Sequence, residues 1–370
     1  VSVAPFFDRV VTAIGRHLTI QRSDLEARLA GVAPGIECSE QGTAAAWTNE
    51  LLANMLARLY PRIVIFGDRR TADTCRALAC SINPNIELAE RPGDASLVVS
   101  TVATTTSATT LAVGSRGWSA FLAGDAPPAS GAPDNVFAAA VAAALGARES
   151  FRRLVVQADS PERPVQLNLL TLKTGPPDAH ADSAPVITDL GHTLIAGVGA
   201  VGNAALWCLR RHKDVSGTVY VIDPEEIELS NLQRYVLARI SDCDLPKTEL
   251  TKRELEGTRL RVCELEGRLG DVRVPEEIEN ILVSVDNVEG RRIAQSLLPR
   301  LVINGSTSDT GCGVSWHDFA RGGGCLCCVY HPPGPLPSEI ELIAKAVGLP
   351  PARVANLVLT PGQSHLNLTR

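Results

Sequence analysis

The sequence predicts an α/β protein of two domains, each organised on a parallel sheet, and three observations predict it. The chain has 370 residues, more than one ordinary hydrophobic core serves. Two separate stretches run from an apolar strand through a turn into a helix and back to an apolar strand, the rhythm of a parallel α/β sheet. Between them, Thr174 to Val186 is rich in Pro, Asp and Ala and has no hydrophobic period, so it reads as a linker. The expected division is therefore 1–173, a linker at 174–186, and 187–370.

In the first stretch, Arg62 to Gly67 (RIVIFG) reads as a buried strand and Thr71 to Ile82 as the helix after it. Short strands follow around Ile86 to Ala89 and Leu97 to Val102. The small-apolar run Val136 to Ala147 falls short of the roughly 20 residues that cross a bilayer and reads as a buried helix. In the second stretch, Thr193 to Gly197 (TLIAG) is the strand, Asn203 to Arg211 the helix and Thr218 to Asp223 (TVYVID) the next strand. Further strands are expected at Ile281 to Val285, Leu301 to Asn304 and Gly313 to Phe319.

Composition is that of a folded protein, with 45% hydrophobic and 21% charged residues. A net charge of −6 and the lack of a long Lys/Arg run argue against a nucleic-acid binder or a binder of anionic membranes. Trp47, Trp118, Trp207 and Trp316 do not interleave with basic residues and read as core. The chain begins at Val1 rather than Met, which leaves its native start open, and Val10 to Leu18 carries Arg16 and His17, unlike a signal peptide. Six of the ten cysteines are scattered, several in apolar segments, and only Cys312, Cys325, Cys327 and Cys328 cluster. A cytoplasmic protein with free or metal-bound thiols is expected.

The two stretches differ where chemistry would occur. After its strand the second turns through GVGAVG, placing Gly197, Gly199 and Gly202 in the GxGxxG spacing, whereas the first has Gly67, Asp68, Arg69 and Arg70. Glycines at those positions allow a tight turn, approach of the backbone to phosphate and close helix–strand contact. An acidic residue closing the next strand, here Asp223, accepts hydrogen bonds from ribose hydroxyls, in NAD or in ATP. As far as Asp223, a dehydrogenase explains the sequence equally well. The residues beyond it suit a dehydrogenase less: Asn231, Arg234 and Lys247 offer a neutral donor and two cations near the turn. Asp286 and Asn287 come directly after the apolar strand Ile281 to Val285. A nucleoside triphosphate with Mg²⁺ needs this mixture of cations and a hard carboxylate.

These motifs resemble a known family. DPEEIELSNLQRYVL is similar to the D-x-D-x-V-x-x-S-N-L-x-R-Q stretch of the ThiF, MoeB and ubiquitin-activating superfamily, and Lys247 stands where that family has a lysine. VDNVEGRR resembles its D-N-x-x-x-R, and CLCCVYHP its zinc-holding C-x-x-C near a proline. The motifs keep the family's order over about Leu190 to Pro333, and GARESFRRL in the first stretch is similar to bacterial members. The resemblance implies two Rossmann-like adenylation domains, an N-terminal degenerate copy and a C-terminal active one. It implies that Asp223 binds ribose, that Asn231, Arg234 and Lys247 contact phosphates, and that Asp286 organises Mg²⁺. Gly197, Gly199, Ala200, Gly202, Ser230, Gln233 and Asn287 would complete the ATP site, with Arg234, Lys247 and Asp286 as its catalytic residues.

The activity implied is ATP-dependent adenylation of the C-terminal glycine of a ubiquitin-like protein, with an E2-like conjugating enzyme or a sulfur-carrier pathway downstream. Zinc on Cys325 and Cys328 is a further implied cofactor, with a second ligand pair missing before Arg370. Tyr235 departs from the family's Gln, Leu245-Pro246 from its Gly-x, and Ala200 from its third glycine. Two other readings stay open: an NAD-dependent oxidoreductase, and a non-catalytic scaffold for a ubiquitin-like protein. Cys312, flanked by Gly311 and Gly313 with only Asp309 as a charge nearby, is not expected to be a thioester nucleophile.

Overall fold

In a computed structural model, the described residues are 20–39, 42–102, 110–123, 133–158, 165–175, 188–308, 311–331 and 338–358. The linker expectation falls mostly on 176–187, and the reading of Val10 to Leu18 wholly on 1–19; both lie outside the described residues.

The first half runs α1 (Arg22–Ala30), β1 (Pro34–Cys38), α2 (Gly42–Leu59), β2 (Arg62–Gly67), α3 (Arg69–Ile82), β3 (Glu87–Ala89), β4 (Leu97–Ser100), β5 (Thr110–Arg116), β6 (Ser119–Ala123), α4 (Val136–Leu154), β7 (Val165–Asn168) and β8 (Lys173–Thr174). Its strands lie in the order β3-β2-β1-β4-β5-β6-β7-β8, parallel from β3 through β5 and antiparallel beyond. The second half runs β9 (Asp189–Ala196), α5 (Ala200–Arg211), β10 (Ser216–Ile222), α6 (Lys247–Leu255), β11 (Arg259–Leu265), β12 (Asn280–Val283), α7 (Val288–Ser296), β13 (Leu301–Thr307), β14 (Cys312–Asp318), α8 (Leu326–Val329), α9 (Glu339–Val347) and α10 (Pro351–Val358). Its sheet order is β11-β10-β9-β12-β13-β14, parallel except for β14. Counted within each half, five parallel strands stand in the order 3-2-1-4-5 of a doubly wound, Rossmann-like sheet.

That order corrects one correspondence. By sequence, Gly67 to Arg70 stands against the glycine turn, but the central strand of the first sheet is β1, paired on both sides. The counterpart of the turn after β9 is therefore the passage from Ser39 to Gly42, where residues 40–41 lie outside the described residues. Residues 39–42 (SEQG) hold one glycine, so the GxGxxG spacing is still absent. β1 escapes a reading by pattern because PGIEC has a Pro, a Gly and a Glu in five residues. The Asp68 side chain instead caps α3, accepting from the Thr71 amide at 2.9 Å.

The central strands bury Ile36, Ile63, Val64, Ile65, Leu194, Ile195, Val219 and Val221 almost completely, as strands covered on both faces must. α4 extends the expected buried helix to Leu154, with Asn135 as its N-cap. One continuous hydrophobic cluster includes Leu51, Leu52 and Leu56 of α2 and Leu206 and Trp207 of α5, joining the halves. Trp316 breaks the core expectation: it stands 63% exposed on β14, an edge strand with one face uncovered.

Candidate functional site

The site lies at the carboxyl ends of β9, β10 and β12, where open α/β sheets bind ligands. Gly197 leaves β9 with φ +89°, a conformation that L side chains rarely adopt. Its neighbour Val198 donates its amide to Asp223 Oδ2 at 2.7 Å, tying the turn to the end of β10. Gly199 caps α5, which begins at Ala200. A Cβ on Gly202 would stand 2.5 Å from the Gly197 carbonyl oxygen, so only glycine lets the helix come this close to the turn. Asn203 then locks helix to turn, donating Nδ2 to the Val198 carbonyl at 3.0 Å.

Asp223 and Lys247 form the buried polar centre. The Lys247 side chain is 3% exposed, its Nζ bonded to the Glu225 carboxylate and 3.7 Å from Asp223 Oδ1. Burial raises the Asp223 carboxyl above the ordinary aspartate value, against the opposing pull of the Val198 amide and the Lys247 ammonium. Burial works against the Lys247 charge too, but Glu225, Asp223 and Tyr235 outweigh it and hold the ammonium above the usual lysine value. Lys247 is charged at neutral pH. Glu225 is 71% exposed at its side chain, so one of the two carboxylates on this ammonium faces solvent.

The segment after β10 brings the remaining groups round. A short 3₁₀ turn, Leu229–Asn231, is closed by a capping box in which Asn231 Oδ1 accepts the Glu228 amide at 3.1 Å. Asn231 is buried, so its side-chain oxygen serves the cap, the structural use of such a residue. Ser230 donates to Glu228 Oε2 at 3.1 Å. Gln233 is half-buried. Arg234 donates to the Ser230 carbonyl at 3.2 Å, its guanidinium 5.2 Å from the centre of the Tyr235 ring. Tyr235 is buried; its ring centre lies 5.5 Å from Lys247 Nζ, and its hydroxyl borders the Gly199 turn.

On the other side of the turn, Asp286 and Asn287 are both exposed. Asn287 caps α7, accepting the Gly290 amide at 2.7 Å, and donates Nδ2 to Asp286 Oδ1 at 3.2 Å. The cap is thus Asn287, and Asp286 stands with a solvent-facing carboxylate. Arg291 of the same motif is buried and donates to Asn304, the Gly305 carbonyl and the Val285 carbonyl, fastening α7 to the sheet. Sequence reasoning missed Ser284, whose hydroxyl bonds the Gly197 carbonyl from beneath, and Tyr235, which it treated only as a departure.

Cys325 and Cys328 lie apart from this centre, their sulfurs 3.6 Å apart across the one turn of α8. Among the described residues no group of three or more His, Cys, Asp or Glu side chains suits a metal ion. No helix of the described residues is long and apolar enough to cross a membrane.

Residues 179–359 match the ThiF family and residues 36–156 match Prokaryotic E2 family C. An uncharacterized protein of Sinorhizobium fredii, y4jF, is 34% identical over 371 aligned residues, which cover 94% of this chain and 70% of that protein. The chain belongs to the ThiF family. Among solved structures, Escherichia coli MccB with MccA-N7isoASN is 23% identical over 43% of this chain and 49% of that one, with a TM-score of 0.34. MccB with ATP is 26% identical over 32% of this chain and 37% of that one, with a TM-score of 0.27. This ThiF-family chain therefore spans about half the length of the first of these structures. Its first half, expected as a degenerate copy of the second, matches a family of E2 description while keeping the same central strand order.

Proposed function

We propose that the second half binds ATP and adenylates a carboxylate, and that the substrate is the C-terminal glycine of a ubiquitin-like protein. The observation that carries this reading is the buried Lys247–Asp223 pair under a glycine turn, with Lys247 and Arg234 both facing the Tyr235 ring. A dinucleotide site needs the turn and Asp223, but it has no use for a buried, charged lysine beside them. Membership of the ThiF family supports the same chemistry.

The reaction joins a carboxylate oxygen to the α-phosphorus of ATP and breaks the bond to pyrophosphate, giving an acyl-adenylate. Both reactants are anions, so repulsion is a large part of the barrier. Phosphates arriving at the turn would meet the amides at the start of α5 and the Arg234 guanidinium. They would also compete with the exposed Glu225 for the Lys247 ammonium, while Asp223 is left to the ribose. Charge growing on the leaving pyrophosphate is then met by cations already in place. The substrate carboxylate is the nucleophile, so no side chain has to act as one.

Mg²⁺ fits beside this arrangement, because one exposed hard carboxylate, together with phosphate oxygens and waters, is what the ion takes. Asp286 would hold it, and the ion would supply charge neutralisation between the phosphates. Zinc is not given a role, since the described thiol pair supplies two donors where four are usual. The first half is read as nucleotide-incompetent, supported by SEQG in place of the glycine turn. A cysteine acceptor or an E2-like partner would enter after the adenylate. ATP–pyrophosphate exchange with ubiquitin-like proteins ending in Gly tests the proposal. Substrate-dependent exchange supports it, whereas NADH binding tighter than ATP binding, without exchange, overturns it.

A further inference from the structure

α2 belongs to the first half, yet its last turns reach the loop of the second that carries Arg234. Arg58 is 3% exposed. Its guanidinium donates to the Leu232 carbonyl and, at 2.9 Å, to the Ala238 carbonyl, and its Nε donates to Asn54 Oδ1 at 2.9 Å. Asn54, one turn earlier and also 3% exposed, donates Nδ2 to the Val236 carbonyl at 2.9 Å. Two side chains of the first half thus hold three main-chain carbonyls of the stretch 232–238, which carries Gln233, Arg234 and Tyr235. From the opposite side, Asn203 of α5 accepts the Leu237 amide at 3.1 Å.

The energetics of this contact are unusual. Among the described residues, the Arg58 partners are carbonyl and amide oxygens, with no carboxylate. Glu50 and Glu254 line the small cavity beside it, of about 30 Å³, but they are committed to Arg211 and Arg210. Burial, and then the like charge of Arg239, both act against the guanidinium's charge. A buried cation without a counter-charge is a poor way to gain stability by charge alone, but an apolar side chain in its place would leave the Leu232 and Ala238 carbonyls without this donor. What a planar, five-donor guanidinium offers is direction: it fixes where carbonyls point.

We propose that Arg58 and Asn54 are positioning residues, through which the first half sets the loop bearing Arg234 in the nucleotide site of the second. The first half then acts on the site mechanically, without binding nucleotide. This rests on the reading of Arg234 as a phosphate ligand.

The test uses the full chain with Arg58→Met, Arg58→Lys and Asn54→Ala, and with Glu50→Gln as control. Glu50→Gln breaks the ion pair to Arg211 at the same interface without touching the loop. Amide hydrogen exchange reads the clamp without any activity. Arg58→Met and Asn54→Ala are expected to speed exchange across 231–238 by about tenfold or more, and Glu50→Gln to leave it unchanged. In pyrophosphate exchange, Arg58→Met should lower kcat by about tenfold or more while KM for ATP moves little, with partial recovery in Arg58→Lys. In an Arg234→Ala background the same substitution should cost less than about threefold, because the group it positions is gone. Unchanged exchange across 231–238 in both loop variants overturns the proposal, as does an equal loss with and without Arg234. Should Arg58→Met not fold, Asn54→Ala removes one carbonyl bond, keeps the cation and carries the same comparisons. If the unaltered chain shows no pyrophosphate exchange, the adenylation reading fails, and hydrogen exchange still decides the clamp.

Discussion

Substituting Gly202 by Ala would set a Cβ 2.5 Å from the Gly197 carbonyl oxygen and 3.0 Å from the Ser284 hydroxyl. The nearer atom belongs to the backbone and already accepts the Ser284 hydrogen bond, so no rotamer change relieves the clash. Instead α5 must move away from the turn, against the packing of Leu206 and Trp207, which are nearly fully buried. Overpacking of this kind costs about 1–3 kcal/mol. At about 2–4 °C per kcal/mol for a folding unit of this half's size, the melting temperature should fall by about 2–12 °C. The displacement also carries Asn203, whose side chain holds the Val198 carbonyl and the Leu237 amide, so turn and loop loosen together. ATP affinity should fall about tenfold or more, the equivalent of about 1.4 kcal/mol. Gly199→Ala is the matched comparison: its Cβ would meet nothing nearer than Tyr235 Oη at 3.8 Å. That variant should melt within about 1 °C of the unaltered chain. It should nevertheless bind ATP more weakly, because the methyl occupies the approach of phosphate to the backbone. Differential scanning calorimetry and ATP titration measure both. A Gly202→Ala chain that melts unchanged, or two variants with undiminished ATP affinity, would refute the reasoning.

The exposed Asp286 should be dispensable for folding, so Asp286→Ala is expected to abolish pyrophosphate exchange while melting within about 1 °C of the unaltered chain. Calorimetry should count one ATP per chain, bound in the second half; two would overturn the incompetent first half. Burial pushes the Asp242 carboxyl up, but Arg253 at 2.8 Å and the Arg239 amide outweigh it and hold it below the ordinary aspartate value. A depressed carboxyl stabilises the fold above its unfolded pKa, near 4, and loses that contribution as pH falls through the folded value. The melting-temperature gap between Asp242→Asn and the unaltered chain should therefore be present at pH 7, begin to narrow near about pH 4 and close as pH falls through the lower folded value; a gap that does not narrow on acidification would contradict it. Cys312, exposed on β14, should be replaceable by Ala without loss of pyrophosphate exchange.

The second half was legible because its residues serve two needs at once. GVGAVG is a spacing visible by eye in which Gly197, at φ +89°, and Gly202, against the Gly197 carbonyl, admit only glycine, and Asp223 and Asp286 stand out as carboxylates that follow apolar strands. β1 was not legible, since a central strand reading PGIEC owes its place to neighbours on both sides rather than to its own pattern. Trp316 was read as core because no basic residues interleave with it, whereas it stands exposed on an edge strand. The division of labour between Asp286 and Asn287 needed coordinates, because either side chain caps a helix and only one does. Arg58 carries no motif at all; its role depends on a contact 174 positions away.

Radiolabelled pyrophosphate exchange into ATP, with a panel of ubiquitin-like proteins ending in Gly, most directly tests the claim that this chain activates a carboxylate. The expected result is exchange that requires both ATP and a glycine-terminated protein, is lost on removal of the terminal carboxylate, and disappears in Asp286→Ala. No exchange across the panel, from a chain that binds NADH more tightly than ATP, would contradict it.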